Sequence, residues 1–236
     1  MSDALTSSSL VNSIKRRASI PENQSTFSTS DFLEMANEEL KMLLLPEIMK
    51  LHEDYLLYQI DLPLESNKNE YNIPSRAIGN KLRDVQHKIN DTDYVELTRT
   101  SIGRRFTEYG YQTQANLREY YIQNNKVVFV PPIGSNPTGS LSMIFYIKPS
   151  KLVEEDRIGV ITGINTSTGE IVLENIPDHF NNSIKYDLYK VESPHNILSI
   201  DLNASSINTT TKTLTFDPSD LPEDLEIGDH LASAGS

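Results

Sequence analysis

The stretch from Ser30 to Leu62 constrains the fold of this chain more than any other. Its apolar residues recur mostly at spacings of three to five, which is the pattern of an amphipathic helix. The residues of this stripe are Phe32, Met35, Leu40, Leu43, Leu44, Ile48, Leu51, Tyr55 and Leu56. A long helix in a chain that is otherwise rich in strand patterns must bury its stripe, either against those strands or against another subunit.

Residues at the start of this helix predict a cap, and a proline in its middle predicts a kink or break. Ser30 or Asp31 can cap the first N–H groups, and Glu34 lies three residues after Asp31, as in a capping box. Pro46 falls inside the apolar pattern. Because proline has no N–H to donate and crowds the preceding turn, we expect a kink or break near residues 44 and 45.

The N-terminal segment, residues 1–29, is polar and rich in serine. It contains a short amphipathic stretch from Ser9 to Arg17. Two interpretations stay open. The segment is either a mobile arm, because so short a stretch buries little alone, or an arm that docks on a neighbouring subunit. In the second case Leu10, Val11 and Ile14 make the contact, and the basic residues 15–17 reach an acidic surface.

Alternating patterns predict antiparallel strands between residues 81 and 147. Lys81–Ile89 and Tyr94–Thr98 flank a polar turn and predict one hairpin. Residues 120–123 and 126–130 flank Asn124 and Asn125, and asparagine tolerates the positive φ that a two-residue turn requires. A third strand is expected over residues 141–147. We expect it to join the second hairpin in one small sheet that packs on the long helix.

Short strands with Asn, Gly and Pro punctuation continue after residue 150. The expected segments are 158–164, 170–174, 186–191, 198–202, 213–216 and 228–232. They favour a sandwich or barrel-like domain. The predicted fold class is therefore α+β: an N-terminal arm (1–29), a long kinked helix with a small antiparallel sheet (30–150) and a β-rich C-terminal domain (151–236). The last residues resemble a strand cut short, which leaves open a longer natural chain.

Composition limits the classes of function. Lysine and arginine total 21 against 33 aspartates and glutamates, a net charge of −12, which argues against wrapping a nucleic-acid backbone. Cysteine is absent, so disulfides, thiolate metal sites and a cysteine nucleophile are excluded. No apolar run approaches the roughly 20 residues that cross a bilayer. The start lacks the apolar core of a signal peptide, so we expect synthesis in a cytoplasm.

The candidate chemical groups favour polar surface over catalysis. The five histidines are scattered, and the Asp178–His179 and Asp229–His230 pairs are expected to be solvated, since strand neighbours face opposite ways. The acidic residues between Asp217 and Glu226 are expected to form a solvated turn rather than a calcium site. The sequence thus predicts a protein that is not an enzyme and has no catalytic residue, metal or cofactor.

Five segments, taken together, suggest a family. They are residues 36–40 (ANEEL), 45–55 (LPEIMKLHEDY), 71–85 (YNIPSRAIGNKLRDV), 128–132 (VFVPP) and 143–149 (MIFYIKP). In this order they resemble the head-to-tail connector, or adaptor, proteins of tailed bacteriophages, most of all the relatives found in short-tailed phages. The resemblance covers residues 6–150. Residues 151–236 have no counterpart in the compact adaptors.

The resemblance implies a structural protein of the virion neck, made in the bacterial host. Its subunits would form a homo-oligomeric ring, often twelvefold, between the portal protein and the tail or further neck proteins. DNA would pass through the lumen without sequence-specific binding, and no membrane is involved. The expected interface residues, divided between the subunit's own core and a neighbour, are Leu10, Ile14, Phe32, Leu40, Leu44, Ile48, Leu51 and Tyr55.

Two functions from other classes remain as alternatives. A carbohydrate-binding or other surface-binding β module of the virion would use Tyr120, Tyr121, Tyr186 and Tyr189 as its platform. A hydrolase is the weaker alternative, because no nucleophile, base and orienting group can be named together.

Overall fold

The structure, a computed structural model, describes residues 6–21, 26–90, 92–103, 119–190 and 197–234. It is mostly β, with 36% strand against 24% helix, and it contains one long helix and three sheets. The predicted fold of a long helix with one small antiparallel sheet is therefore wrong. Strands account for more of the chain than the sequence patterns indicated.

Helix α1 spans Ser7–Arg17 and α2 spans Thr29–Glu39; a π-helical turn, Leu40–Leu44, and α3, Leu45–Leu51, continue α2 without a break. The capping box begins at Ser28, two residues before the predicted cap. Its Oγ accepts from the N–H of Asp31 at 3.2 Å, and the Asp31 carboxylate accepts from the N–H of Ser28 at 2.7 Å.

Pro46 changes the helix locally but does not end it. The N–H of Leu45 donates to the carbonyl of Leu40, five residues back, which is the bond of a wider π-helical turn. In a regular α-helix the Pro46 ring would clash with the carbonyl oxygen of Met42. Proline also has no N–H to donate to that oxygen. The wider turn directly before Pro46 relieves that clash, so the chain remains helical as far as Leu51.

The chain divides into two compact units, Met1–Glu47 with Pro149–Ser236, and Ile48–Lys148. The sequence had placed the boundaries after residues 29 and 150.

The central unit, 48–148, holds two four-stranded sheets. One has the order β1-β8-β3-β4 and the other β2-β7-β6-β5. The strands are β1 (Leu57–Pro63), β2 (Glu70–Asn72), β3 (Asp84–Lys88), β4 (Tyr94–Glu96), β5 (Thr98–Arg99), β6 (Glu119–Gln123), β7 (Lys126–Val130) and β8 (Ser140–Tyr146). The core lies on β8, where Leu141, Met143 and Phe145 are fully buried.

Both predicted hairpins of this unit are confirmed, since β3 pairs with β4 and β6 pairs with β7. The single sheet expected from β6, β7 and β8 is wrong. β8 pairs instead with β1, over seven residue pairs, and with β3. The sequence analysis had assigned β1 to the end of the helix, although Tyr58, Ile60 and Leu62 alternate with polar residues at the period of a strand.

The other unit contains a seven-stranded antiparallel sheet of order β12-β11-β15-β9-β10-β14-β13. Its strands are β9 (Gly159–Asn165), β10 (Glu170–Leu173), β11 (Lys185–Tyr189), β12 (Ile197–Asn203), β13 (Ser206–Asn208), β14 (Thr213–Thr215) and β15 (His230–Ser233). The edge strands β12 and β13 are joined by only residues 204 and 205, so the sheet curls enough to bring the end of β12 next to the start of β13. Tyr186, packed edge-on against Phe180 and Phe216, is fully buried in the core.

Helices α1 and α2 pack on each other in this unit. Val11 of α1 is buried against Phe32 and Leu33 of α2, with Ile14, Ile20 and Leu152 around them. The N-terminal segment is therefore an ordered helix on its own subunit over residues 7–17. Val11 and Ile14 thus pack within their own subunit, unlike a mobile arm. Docking of the segment on a neighbouring subunit stays a prediction.

Candidate assembly surface

The second half of the long helix exposes its apolar side chains. No residue of the π-helical turn or of α3 is buried. We call Met42, Leu43, Leu44 and Leu51 the helix surface; their exposed fractions are 76%, 63%, 52% and 72%. Contiguous exposed apolar residues of this kind mark contacts with other molecules, whereas single ones do not.

Helix α1 covers only the first part of the long helix. It packs on α2 at Phe32 and Leu33, which are the only buried residues of α2. Beyond them, Met42, Leu43 and Leu44 follow one another in the π-helical turn, so their side chains point in different directions around the helix axis. In the described part of the chain, each of these three side chains stays more than half exposed.

The structure divides the eight predicted interface residues into three groups. Phe32 is buried in the subunit's own core, and Ile14 packs beside it. Leu10, Leu40 and Ile48 are partly buried. Leu44, Leu51 and Tyr55 are exposed. Met42 and Leu43 are as exposed as these but were absent from the predicted interface. Leu43 belonged to the predicted stripe, whereas Met42 did not.

The chain after the helix is held firmly. A 3₁₀ turn, Glu53–Leu56, ends in Leu56, which is buried. The guanidinium of Arg83 donates to the Asp54 carboxylate at 2.8 Å. This hydrogen bond is the main cause that raises the pKa of Arg83. The bond ties the turn to the start of β3, so the end of the helix leads into an anchored strand.

A second group of exposed apolar residues lies on the β3–β4 hairpin. Ile89 is 42% exposed, Tyr94 42% and Val95 44%. Val95 pairs with His87 and Tyr94 with Lys88, so Ile89 and Val95 lie on one face of the hairpin and Tyr94 lies on the other. The sequence carried one signal of it. The strand pattern over residues 81–89 was mixed rather than cleanly alternating, and the structure exposes all three residues of β4.

The candidate catalytic histidines do not come together in the described part of the chain. His52 is exposed, His87 is buried with its Nε2 2.8 Å from the carbonyl of Thr138, and His179 packs edge-on against Phe180. His195 lies outside the described residues. The expectation that Asp229 is solvated is wrong. This residue is 3% exposed, and its carboxylate accepts from the N–H of Glu226 at 2.9 Å.

A groove of about 530 Å³ lies between the 3₁₀ turn at residues 155–157 and the loop at 174–179. Burial and the nearby Arg157 lower the pKa of His179 on its wall, so the ring there is neutral more readily than a free histidine. Among the described residues, the lining includes no hydroxyl, thiol or amine side chain that could act as a nucleophile. Besides Arg157, Asn175 and His179, the lining is acidic and aliphatic.

The acidic residues near the C-terminus serve the local fold. The Asp217 carboxylate accepts from the N–H and the hydroxyl of Ser219, which caps the 3₁₀ turn Pro218–Asp220 and lowers the pKa of Asp217. Within the described residues no three His, Cys, Asp or Glu side chains converge as metal ligands would. The tyrosines proposed for a sugar platform are not exposed, because Tyr120, Tyr121 and Tyr186 are buried and Tyr189 is partly buried.

In the part of the chain that the structure covers, none of the helices has both the length and the apolar character needed to span a bilayer. No protein-family profile matches the chain, and no curated protein sequence matches it.

Proposed function

We propose that this chain is a structural subunit of a homo-oligomeric ring and that the ring is the head-to-tail connector of a tailed bacteriophage. In that role it joins the portal protein to the tail and surrounds the path of the DNA in the virion neck. It acts by assembly and not by catalysis. The observation that carries the proposal is the helix surface, which leaves four large apolar side chains at least half exposed on one helix.

A second copy of the chain is the occupant that the proposal assigns to this surface. Exposed acidic residues flank it, Glu38 and Glu39 before Lys41 and Glu53 and Asp54 after Leu51, so charge alone does not select the partner. A contact between two different faces of identical copies gives a ring when its rotation closes.

The acidic balance also suits the proposed lumen. Phosphates bind where cations collect, and like charges repel at distances up to about a Debye length, roughly 8 Å in physiological salt. A ring with an acidic wall would let DNA pass without holding it. The order of the five segments from residue 36 to residue 149 supports the phage connector as the setting for this ring.

The test is Leu51→Asp, since Leu51 is 72% exposed and its replacement disturbs no buried contact. Burying a leucine contributes about 1.5–3 kcal/mol, and burying an unpaired carboxylate is strongly unfavourable. We expect the variant to remain a folded monomer where the wild type forms rings, as measured by light scattering and circular dichroism.

Ile227→Asp is the matched control. Ile227 is 70% exposed but stands alone, so this variant should assemble as the wild type does. Normal rings from Leu51→Asp would remove the helix surface from the interface and the proposal with it.

A further inference from the structure

Helix α1 ends in three consecutive basic residues, Lys15, Arg16 and Arg17, which we call the basic end. The Lys15 ammonium lies over the Phe32 ring, 5.4 Å from its centre. Arg16 and Arg17 are exposed, and in the described part of the chain neither side chain forms an ion pair or a hydrogen bond. Because α1 contains no acidic residue, the basic end is a local block of positive charge on a chain whose net charge is −12.

The groove between the turn at residues 155–157 and the loop at 174–179 has the opposite charge, and we call it the acidic groove. Its apolar lining is partly or fully buried and consists of Ile158, Val160, Ile176 and Pro177. Its acidic lining is exposed and consists of Glu155, Asp156, Glu174 and Asp178. Among the described residues, none of these four carboxylates has an ion pair or a hydrogen bond. The acidic groove thus combines an apolar base with unpaired carboxylates.

Two basic residues lie at this groove without cancelling its charge. Arg157 belongs to the lining. Lys212 lies beside it, where its ammonium donates to the backbone carbonyl of Glu174 at 2.6 Å and to the side-chain oxygen of Asn175 at 3.3 Å. With both counted, the carboxylates still outnumber the bases by two to one, so the groove favours a positively charged occupant.

We infer that the acidic groove of one copy receives the basic end of helix α1 from the next copy. This inference rests on the proposed ring and names a second contact within it. An arginine side chain has an apolar stem and a charged head. The stems of Arg16 and Arg17 suit the apolar lining, and each planar guanidinium can bind a carboxylate through two parallel hydrogen bonds.

The position of the groove favours a second copy as the source of these arginines. Glu155 and Asp156 also line a cleft with Ser7 and Ser8, at the start of the subunit's own α1. The basic end of that same helix lies about 15 Å farther along its axis, at 1.5 Å per residue. The end of one α1 would therefore meet the carboxylates beside the start of the next. Such a contact joins two different faces, as a closed ring requires.

The experiment reverses the charge of each partner in the full-length chain. One variant carries Arg16→Glu with Arg17→Glu, and the other carries Glu155→Lys with Asp178→Lys. Each alone should lose most of its rings at low salt, as measured by light scattering. An equimolar mixture should recover at least half of the wild-type ring fraction. In the mixture the reversed end of one variant meets the reversed groove of the other, and the two native partners also meet, so copies alternate around the ring.

The control reverses two bases outside both partners, Lys81→Glu with Lys151→Glu. Both lysines are exposed, and this variant changes the net charge as much as the reversed basic end does. It should form rings as the wild type does, which separates the proposed contact from a general effect of net charge. All substituted positions are exposed, so circular dichroism and thermal unfolding should match the wild type.

A neutral variant of the groove, Glu155→Gln with Asp178→Asn, removes two charges with little change of shape. Its ring fraction should fall and should depend less on salt than that of the wild type, because fewer charged pairs are screened. An unchanged ring fraction would overturn the contact even if the lysine variant failed to fold.

The outcomes separate this contact from the proposed function. Wild-type rings from the reversed basic end, or two variants that do not assemble when mixed, would overturn the contact and leave the ring in place. A reversed groove that keeps its rings but no longer binds the portal would assign the groove to another protein and overturn the contact as well. A wild type that never forms rings would overturn the proposed function together with this inference.

Discussion

Asn37 fastens the long helix to the chain that follows the central unit. Its side-chain Nδ2 donates to the carbonyl of Leu152 at 2.9 Å, and its Oδ1 accepts from the N–H of Leu152 at 2.7 Å. One asparagine thus pairs with a backbone segment much as a neighbouring strand would. Leu152 also contacts the small cluster around Val11, Phe32 and Leu33, so polar and apolar contacts meet at one point.

Replacing Asn37 by alanine should lower the free energy of unfolding by about 1–3 kcal/mol, because two partly buried backbone groups lose their partners. Chemical denaturation measures the change. Asn12→Ala, at an exposed position of α1, is the control and should have little effect. An Asn37→Ala protein as stable as this control would show that the paired hydrogen bonds contribute nothing.

His230 on β15 gives the stability a dependence on pH. Burial lowers the pKa of its ring below the usual 6.5, although the neighbouring Asp229 opposes the shift. The unfolded chain therefore binds the proton more tightly. The stability that this histidine contributes is complete above pH 6.5 and falls as the pH drops through the lower, folded pKa.

His230→Gln should reduce the dependence of the free energy of unfolding on pH below pH 6.5. Urea unfolding at several pH values between 7 and 5 measures the slope, and the slope that remains should include the contribution of His179, whose pKa is also lowered. An unchanged slope in His230→Gln would contradict the assignment to His230.

At the scale of elements, the β6–β7 hairpin depends on its turn. Asn124 and Asn125 have φ values of 50° and 60°, a left-handed conformation that suits two-residue hairpins and that β-branched residues avoid. The Asn125 carbonyl also accepts from the N–H of Ile73, so the turn carries a contact outside the hairpin.

Asn125→Val should destabilise the protein by about 1–2 kcal/mol, the cost of a left-handed backbone for an ordinary residue. Asn125→Gly keeps the conformation free of strain and is the matched comparison. Thermal unfolding measures both variants. Equal midpoints for the valine and glycine variants would show that the turn does not adopt this conformation.

Patterns of neighbouring residues predicted the two hairpins of the central unit. The predictions failed where a helix pattern and a strand pattern overlap in the sequence. The Asn-Asn turn and the strands of both hairpins follow from residues near in sequence. The helix stripe was extended through Tyr55 and Leu56 because its spacing continues there, yet Tyr58, Ile60 and Leu62 already follow the period of a strand. Pro46 signalled a local change but not its form, because a π-helical turn and a break relieve the same clash.

At the scale of the whole molecule, sheet membership was the part that the sequence could not supply. β8 alternates as expected, but its partners β1 and β3 lie far from it in the chain, and pairing between distant strands leaves no local mark. The buried Asp229 was missed for the same reason, since its burial depends on how β15 lies among its neighbours. The exposure of Met42 and Leu43 likewise depends on how far α1 packs along the long helix, which the sequence alone does not show.

The apolar part of the long helix is the whole-molecule feature on which the account depends. Among the described residues, Met42, Leu43, Leu44 and Leu51 are each more than half exposed. This exposure favours assembly of many copies over a solitary binding module.

The most direct measurement is the mass of the purified chain, alone and mixed with a phage portal ring. The account predicts one discrete ring-sized species, formed either by the chain alone or when the portal is added, and its loss in Leu51→Asp. A chain that remains monomeric at every concentration tested and does not bind the portal would contradict the central claim that this protein is a ring-forming connector.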